Sequence, residues 1–594
     1  MIAKLYTTLC FCFILFLISG HRLTAQNQSS KPNIILVLTD DQGWGDLGIH
    51  GNPHIKTPTL DRLAKNSVQL TDFYVSPVCA PTRASLMTGR YSLRTGVRDT
   101  YNGGAIMATE EYTLAEMLHV NGYSTAIFGK WHLGDNYPTR PMDQGFEESL
   151  VHLGGGIGQP GDYLNYHKGD SSYFNPVLLK NGQPTPTNGY CSDVYTDAAI
   201  DFINDKNEKP FFIYLSYNAP HTPLQLPQSY YDMYKDVDPS VGFDDDQQPE
   251  MSEADKEAAR KVYGMVTNID DNVKRIMTTL EKNHLADNTL VIFMTDNGPQ
   301  QRRYIGGMRG KKGQVYQGGI KVPCYFHFPS HFSPDKTIDF PTAHIDILPT
   351  IAALCGIDQV ESNDVDGINL LDYCTKPDKQ DQPDDRSLFF YWHRRNIALY
   401  HNMAVQKGPY KLVANGEYFE DETAFELFNL DEDKAEKENR AKDWPDKKSD
   451  LHNELDDFYF EMINEPHLTN APAAVIGTPH ENPLVLNRND AFGQEAIWSQ
   501  DEVYGFWELD NQQAGYYSVS FKFLHPLPKG GDMKIQFGPV HYIQKNEQES
   551  STEIVMKYIY LPAVRSQFTP WYFYGGWGNF HSVLPFTVEI EKEQ

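Results

Sequence analysis

The chain has 594 residues, of which 40% are hydrophobic, and this indicates a folded protein of several domains rather than a disordered one. Its formal charge of −28 argues against nucleic acid as a partner, so any site for an anion must be a local basic pocket. The seven cysteines show neither a CxxC pair nor a cysteine–histidine zinc spacing, and their positions leave the pairing of cysteines open.

Residues 1–25 have the pattern of a cleaved signal peptide. Lys4 precedes an apolar run at residues 9–18, and residues 23–25 form an acceptable cleavage site. The run is shorter than the roughly 20 residues that a membrane span needs. Cleavage removes Lys4, Arg22 and no acid, so the formal charge changes from −28 to −30. We therefore predict an exported protein without an integral membrane segment, in the periplasm, with secretion or the cell surface as alternatives.

The next part of the chain alternates between strand and helix patterns. Continuous apolar runs predict buried strands at residues 33–39, 124–128, 210–217 and 289–295. Apolar residues at spacings of three and four from Val262 to Leu280 predict an amphipathic helix. The alternation predicts an α/β domain at residues 30–380, with a mixed, mostly parallel sheet flanked by helices.

The pattern changes after residue 380. Three short strand patterns and a helix at about residues 446–462 predict a smaller α+β subdomain at residues 381–465. Residues 463–482 are rich in Pro, Asn and Thr and predict a linker.

The last part of the chain, residues 483–594, shows period-two alternation of apolar and polar residues, as at residues 517–523 and 533–537. Such segments with Gly and Pro turns between them predict a C-terminal β-sandwich. This part contains an aromatic cluster, for which we favour a core or a seam between domains, with a platform that stacks on sugar rings as the alternative. Its members are Trp571, Tyr572, Tyr574 and Trp577.

Polar residues follow two of the predicted buried strands. Asp40 and Asp41 come after the first strand, and Asp296 and Asn297 come after residues 289–295. Ligand sites of open α/β sheets gather at the carboxyl ends of strands. Oxygen ligands of this kind suit calcium or magnesium better than zinc. Either pair alone is also typical of a turn or a helix cap.

Cys79 taken alone would be interpreted as a buried structural thiol. It begins the run Cys-Ala-Pro-Thr-Arg-Ala-Ser-Leu-Met-Thr-Gly-Arg, which ends at Arg90. This run resembles the signature of the formylglycine-dependent type I sulfatases, the arylsulfatase family of the alkaline-phosphatase superfamily. A modifying enzyme must read that signature, so the resemblance is specific.

Further runs resemble the same family, in family order, between about residues 32 and 462. They are Gly129-Lys130-Trp131-His132-Leu133-Gly134, Pro220-His221-Thr222-Pro223, Thr295-Asp296-Asn297-Gly298 and Arg309-Gly310-Lys311-Lys312-Gly313. Two positions depart from the family pattern. Gln317 replaces a glutamate, and Lys311 replaces a glycine, although the spacing from Arg309 favours Lys312 as the catalytic lysine.

The resemblance implies a sulfuric ester hydrolase with an alkaline-phosphatase-like fold. A formylglycine-generating maturase would oxidise Cys79 to an aldehyde, and one hydroxyl of its hydrate would attack sulfur while the second would expel sulfate. The resemblance also implies a bound Ca²⁺, with Mg²⁺ as the alternative. The implied ligands are Asp40, Asp41, Cys79, Asp296 and Asn297.

The resemblance also assigns roles to the basic residues. Arg83 would hold the diol and the metal carboxylates, while Lys130 and Lys312 would bind the sulfate oxygens. His221 would protonate the leaving oxygen with help from Lys312. His132 would take a proton from the second hydroxyl as sulfate leaves.

The implied substrate is a sulfated polysaccharide or oligosaccharide, for example algal, because the appended sandwich resembles modules of bacterial polysaccharide sulfatases. Two alternatives remain at this stage. One is a phosphonate or phosphodiester hydrolase of the same superfamily that uses the same modified cysteine. The other is a non-catalytic glycan-binding protein in which the sandwich binds and the α/β part is relict.

Overall fold

The computed structural model describes residues 31–593, except 206–208, 245–246, 248, 335, 358–364, 377–382, 384–385, 417–424 and 577–578. The predicted signal peptide lies outside the described residues. Among the helices that are described, none has both the length and the apolar character needed to cross a membrane.

The first part of the chain forms one large sheet and one small sheet. Its strands are β1 (Asn33–Thr39), β2 (Val68–Leu70), β3 (Phe73–Tyr74), β4 (Ser124–Lys130), β5 (Glu148–His152), β6 (Val177–Lys180), β7 (Gln183–Pro186), β8 (Phe211–Ser216), β9 (Thr289–Thr295), β10 (Cys324–His327), β11 (Thr337–Ile338) and β12 (Thr342–Ala343). The ten-stranded sheet has the order β11-β2-β10-β9-β1-β8-β4-β5-β6-β7, and β3 pairs with β12. The strands from β9 to β5 in this order run parallel, whereas antiparallel pairs flank them.

Helices cover both faces of the large sheet. They are α1 (Pro58–Lys65), α2 (Cys79–Thr88), α3 (Leu114–Val120), α4 (Cys191–Asp205), α5 (Gln228–Tyr231), α6 (Glu253–Lys282), α7 (Gln317–Ile320), α8 (Ile347–Leu354) and α9 (Leu371–Thr375). Alternate side chains of a strand point to opposite faces. Ile35 and Val37 share a hydrophobic cluster with α4 and α6, whereas Leu36 and Leu38 share another with α2 and α8.

The four predicted buried strands correspond to β1, β4, β8 and β9, and the structure confirms the predicted fold class. The helix predicted from Val262 to Leu280 is the apolar part of the longer α6. Its start is set by a capping box, in which Ser252 Oγ accepts a hydrogen bond from Asp255 N and the Asp255 carboxylate accepts one from Ser252 N.

A four-stranded antiparallel sheet and one long helix form the subdomain after the large sheet. The elements are β13 (Ser387–Tyr391), β14 (Met403–Lys407), β15 (Tyr410–Ala414), β16 (Phe425–Asn429) and α10 (Pro445–Met462). Leu451 and Leu455 of α10 share a hydrophobic cluster with Val405 and Leu412 of the sheet.

Two facing sheets form the C-terminal sandwich, which follows the short helix α11 (Pro466–Thr469). The strands are β17 (Ala474–Ile476), β18 (Leu484–Asn487), β19 (Phe492–Gly493), β20 (Gly505–Asn511), β21 (Gly515–Leu527), β22 (Asp532–Phe537), β23 (Val540–Lys545), β24 (Ser551–Leu561), β25 (Arg565–Gly576), β26 (Asn579–Val583) and β27 (Thr587–Lys592). One sheet has the order β17-β20-β25-β22-β23, and the other has the order β18-β27-β21-β24.

The structure adds to two predictions for the C-terminal part of the chain, those of the linker and of the aromatic cluster. The segment predicted as a linker contains β17, which pairs with β20. The sequence did not predict this strand, because a three-residue apolar run is too short to show a period. In the aromatic cluster, Tyr572 is buried in the sandwich core and Trp571 stacks against His541. Trp577 lies outside the described residues.

Candidate active site

The residues that follow β1 and β9 form the centre of the site. In the parallel pairing of these strands Thr39 lies opposite Thr295, so Asp40 and Asp296 come next at the same edge of the sheet. The backbone N–H of Asp41 donates to Asp296 Oδ1 over 3.1 Å. The strand register therefore brings together acids that lie far apart in the sequence, and all of them are fully buried.

Several oxygens at this edge lack a hydrogen-bond partner within the described part of the chain. They are Asp40 Oδ1, Asp41 Oδ2 and Asn297 Oδ1. Leaving buried polar atoms unpaired costs free energy, so each needs an explanation. Ligand atoms of Asp40, Cys79 and Asp296 also lie within 4.8 Å of one another. Because hard divalent cations prefer carboxylate and amide oxygens, this set of residues fits Ca²⁺ or Mg²⁺.

Three cations face the three carboxylates. The pairs are Lys130 Nζ with Asp40 Oδ2 (2.6 Å), Arg83 Nη2 with Asp296 Oδ2 (2.8 Å) and Lys312 Nζ with Asp41 Oδ1 (2.5 Å). The side chains of Arg83 and Lys130 are inaccessible to solvent, whereas Lys312 remains 14% exposed. Lys312 is therefore the cation of this set that reaches the pocket, and its neighbour Lys311 is exposed.

The cations act unequally on the carboxylates. Burial opposes the ionisation of Asp40, but Lys130 and the surrounding cations outweigh burial and hold the pKa of Asp40 well below its usual range. Burial and the charge of Asp40 together raise the pKa of Asp296 to about 7. A divalent cation bound beside Asp296 would favour its ionised form against the effects of burial and of Asp40.

Cys79 is the first residue of α2, and all ten residues of this helix are buried. The Sγ atom lies 3.5 Å from His132 Nδ1. Burial raises the pKa of the Cys79 thiol, although the charges of Lys130 and Lys312 oppose that effect. The unmodified side chain is therefore a neutral thiol at neutral pH and a poor nucleophile.

Two histidines flank the position of the thiol. Thr100 O lies 2.7 Å from His132 Nε2 and can only accept, so Nε2 carries the proton and Nδ1 is free to accept one. Likewise His221 Nδ1 donates to Thr222 O over 2.7 Å, which turns Nε2 toward Asp41 Oδ2 at 3.7 Å. Burial is the main cause that lowers the pKa of both histidines, so both rings are neutral at neutral pH.

A pocket of about 330 Å³ opens above Cys79. Cys79, His132, His221 and Lys312 lie on its walls, while the carboxylates, Arg83 and Lys130 lie beneath. The structure thus brings together every residue that the sequence analysis assigned to the site. Since each cation faces a carboxylate, a divalent cation held by the carboxylates would add the positive charge that anion binding needs.

The pocket also contains residues that the sequence analysis missed. They are Val78, Thr100, Gly155, Gln159, Gln300, Trp392, Arg394 and Trp498, beside Lys311, Thr222 and Gly313 of the runs already noted. Trp392 and Arg394 come from the subdomain, and Trp498 comes from the sandwich. No local pattern marks these positions, since only the packing of three parts of the chain brings them to one pocket.

Comparisons with known proteins agree with this site. The family model described as Sulfatase matches residues 32–357, and the model described as N-sulphoglucosamine sulphohydrolase, C-terminal, matches residues 310–461. N-acetylgalactosamine-6-sulfatase of Mus musculus is 30% identical over 434 residues, which cover 67% of this chain and 75% of that protein.

Solved structures agree as well. The structure of Ps i-CgsB in complex with k-i-k-neocarrahexaose has a TM-score of 0.62 and 30% identity, and the match covers 74% of this chain and 94% of that chain. The phosphonate monoester hydrolase of Agrobacterium radiobacter has a TM-score of 0.55 and 20% identity, over 73% of this chain and 96% of that chain. The second likeness shows a shared fold.

We predict that Ca²⁺ raises the thermal unfolding midpoint of chelator-treated protein, because it binds the folded carboxylates and not the unfolded chain. At 100 times its Kd, a bound ligand contributes about 2.7 kcal/mol. Differential scanning fluorimetry measures the shift. Asp41→Asn should remove most of it, whereas Asp201→Asn, at an exposed position of α4, should keep it. A metal-free protein that shows no shift with either Ca²⁺ or Mg²⁺ would contradict the metal site.

Proposed function

Since the chain belongs to the sulfatase family and is a sulfuric ester hydrolase, we propose that it removes sulfate from sulfated oligosaccharides or polysaccharides outside the cytoplasm. Its nucleophile is a formylglycine made from Cys79, and its cofactor is Ca²⁺, with Mg²⁺ as the alternative. One observation carries this proposal: the ligand atoms of Cys79, Asp40 and Asp296 lie within 4.8 Å of one another, and Cys79 lines a pocket together with Lys312 and both histidines.

The state of Cys79 supports a modified nucleophile. A buried thiol with a raised pKa is a poor attacking group, and its burial leaves it little thiolate at neutral pH. Formylglycine at this position supplies, when hydrated, two hydroxyls, one to attack sulfur and one to release sulfate, which divides one difficult displacement into two easier steps. The short distance to His132 places a base beside these hydroxyls.

Four oxygen-bearing residues and residue 79 would hold the cation. They are Asp40, Asp41, Asp296 and Asn297. A bound divalent cation would lower the pKa of the attacking hydroxyl and neutralise part of the sulfate charge.

The basic residues bind and orient the ester. Lys312 Nζ lies at the pocket wall, where it is placed to bind a sulfate oxygen, and Lys130 supports the floor beneath. Arg83 donates to Lys130 O, Ser216 Oγ and Asp296 Oδ2, so its guanidinium is fixed beside residue 79. Fixed cations of this kind stabilise charge that develops on the transferring group.

The histidines divide the proton transfers between them. His132 Nδ1 is unprotonated and faces residue 79, so it accepts the proton of the second hydroxyl as sulfate leaves. His221 also lines the pocket and is the proposed donor to the leaving oxygen. This role requires a second proton on Nε2, a form that burial opposes and the charges of Asp40 and Asp41 favour. Lys312 assists, because Asp41 raises the pKa of its ammonium against the effect of burial and keeps it protonated.

Burial also determines when the modification occurs. Cys79, Pro81 and Arg83 of the signature lie in α2, every residue of which is buried. A maturase can read these residues only in a chain that has not yet folded. We therefore place conversion of Cys79 before folding, at or before export directed by the signal peptide.

The substrate class rests on the relatives. N-acetylgalactosamine-6-sulfatase acts on a sulfated sugar, and the Ps i-CgsB structure holds a carrageenan oligosaccharide. Both match this chain at 30% identity. An exported enzyme would meet such glycans in the periplasm, with secretion or the cell surface as alternatives.

We predict that 4-nitrophenyl sulfate is hydrolysed with a kcat/KM at least about 100-fold above that for bis(4-nitrophenyl) phosphate, a preference of about 2.7 kcal/mol. The test separates a sulfatase from a phosphodiesterase of the same fold. Cys79→Ala should abolish sulfate turnover, whereas Cys191→Ala, at a buried cysteine of α4, should retain it. A reversed substrate preference, or full activity of Cys79→Ala, would refute the proposal.

We predict that Lys312→Ala lowers kcat by about 100-fold to 1,000-fold, because one fixed charge on the transferring group is lost. Lys311→Ala is the matched control and should change kcat by less than about tenfold, since Lys311 is exposed and lies only at the rim. Steady-state kinetics with 4-nitrophenyl sulfate compare the two. A larger loss for Lys311→Ala would move the sulfate-binding role to that residue.

A further inference from the structure

The C-terminal sandwich forms one wall of the catalytic pocket. Trp498 ends a short 3-10 turn, Glu495–Trp498, and lines the pocket together with Trp392 and Arg394 of the subdomain. The same pocket has Cys79 at its floor. An indole from a separate module therefore borders the space above the reacting group.

Trp498 belongs to a continuous stack of side chains from three parts of the chain. Its ring is stacked on Tyr101, with centroids 5.3 Å apart and planes 29° apart. The Arg394 guanidinium lies 4.6 Å from the Tyr101 ring centroid and 4.8 Å from that of Trp392. Contacts of this kind fix an aromatic wall in one orientation.

The buried carboxylate of Asp99 accepts hydrogen bonds from two members of this stack, Arg394 and Trp392. Arg394 Nη1 donates to Asp99 Oδ1 over 2.6 Å and to Thr100 Oγ1 over 2.9 Å. Trp392 Nε1 donates to the same Asp99 oxygen over 3.3 Å. Asp99 is fully buried and Arg394 partly so, and these charge-assisted bonds hold the two side chains in one orientation.

A buried arginine fixes the turn that carries Trp498. Arg488 is 1% exposed, and its Nη1 donates to Gln500 O over 2.8 Å and to Ile497 O over 3.4 Å. Its Nη2 donates to Asp501 Oδ1 over 3.0 Å. Arg488 thus bonds to the backbone on both sides of Trp498 and acts as a positioning residue.

The same turn is bonded to the catalytic part of the chain. Tyr101 Oη donates to Glu495 O over 3.1 Å, and Gly493 N donates to Asn102 Oδ1 over 2.8 Å. Tyr101 and Asn102 belong to a loop that also contains Thr100. The carbonyl oxygen of Thr100 accepts the hydrogen bond that sets the tautomer of His132. The sandwich and the proposed base are therefore attached to one loop.

We propose that Trp498 is a specificity-determining residue, whose indole face packs against a sugar ring of a sulfated saccharide while the ester occupies the floor of the pocket. The sandwich thereby selects carbohydrate substrates as part of the catalytic pocket. This inference rests on the proposed function, because the sugar is placed beside Trp498 only when its sulfate is bound above Cys79. A flat aromatic face gives a large apolar contact at low entropic cost, which suits the apolar face of a sugar ring.

The test compares saccharide turnover with binding of the sulfate group alone. The substrate is the saccharide with the highest kcat/KM in a panel of carrageenan, fucan and glycosaminoglycan oligosaccharides. Binding of the sulfate group alone is measured as the inhibition constant of inorganic sulfate, with 4-nitrophenyl sulfate as the substrate of the assay. Trp498→Ala should lower kcat/KM for the saccharide about tenfold, as expected for the loss of a buried aromatic contact, and should leave the inhibition constant of sulfate within about twofold.

Two further variants control for damage to the fold. Trp498→Phe keeps an aromatic face and should restore kcat/KM to within about threefold of the unsubstituted enzyme. Tyr558→Ala removes a 69% exposed aromatic residue of the sandwich, outside the pocket, and should change neither constant. Unfolding midpoints are compared across all variants.

Each outcome decides the inference. If Trp498→Ala weakens saccharide turnover and sulfate inhibition equally, Trp498 has a structural role and the inference is overturned. An unchanged kcat/KM for the saccharide would overturn the inference as well. If 4-nitrophenyl sulfate is hydrolysed but no saccharide in the panel is, the inference fails while the sulfatase activity stands. If neither is hydrolysed by protein that contains formylglycine, the proposed function itself fails.

Discussion

The site depends on the burial of three carboxylates at the ends of two parallel strands, where three cations neutralise them. Burying ionised groups costs several kcal/mol each unless their partners and hydrogen bonds are well placed. The cost is met by exact pairing of charges and by Arg83, which spans β4, β8 and the residue after β9 through Lys130 O, Ser216 Oγ and Asp296 Oδ2. The oxygens that this network leaves unpaired are those that point to a divalent cation.

Much of this arrangement could be predicted from the sequence. Strands such as β1 and β9 are buried on both faces, so they appear as continuous apolar runs, and polar residues at their ends identify the edge of the sheet where ligands bind. The family signature then connected Cys79 to that edge. Helix α2 could not be predicted from periodicity, because all its residues are buried and it has no polar stripe.

Other parts of the site escaped prediction because they depend on tertiary packing. Trp498 is held at the pocket by its stack on Tyr101, almost 400 residues earlier in the chain, and by Arg488, which bonds to the backbone of its turn. Strand β17 is three residues long, and its contacts are with distant parts of the chain: it pairs with β20, and Val475 N donates to Tyr137 O. The module that looked like an appendage in the sequence therefore bonds to the same loop as His132, and its Trp498 lines the pocket that contains Cys79.

We propose that residue 79 acts as a hydrated aldehyde and not as a thiol. The most direct measurement is the mass of the peptide that contains residue 79, taken from samples made with and without a formylglycine-generating maturase, alongside the turnover number of each sample. We expect turnover to rise in proportion to the fraction of peptide with the mass of formylglycine and to extrapolate to zero when that fraction is zero. A fully active sample in which residue 79 is an unmodified cysteine would contradict the account.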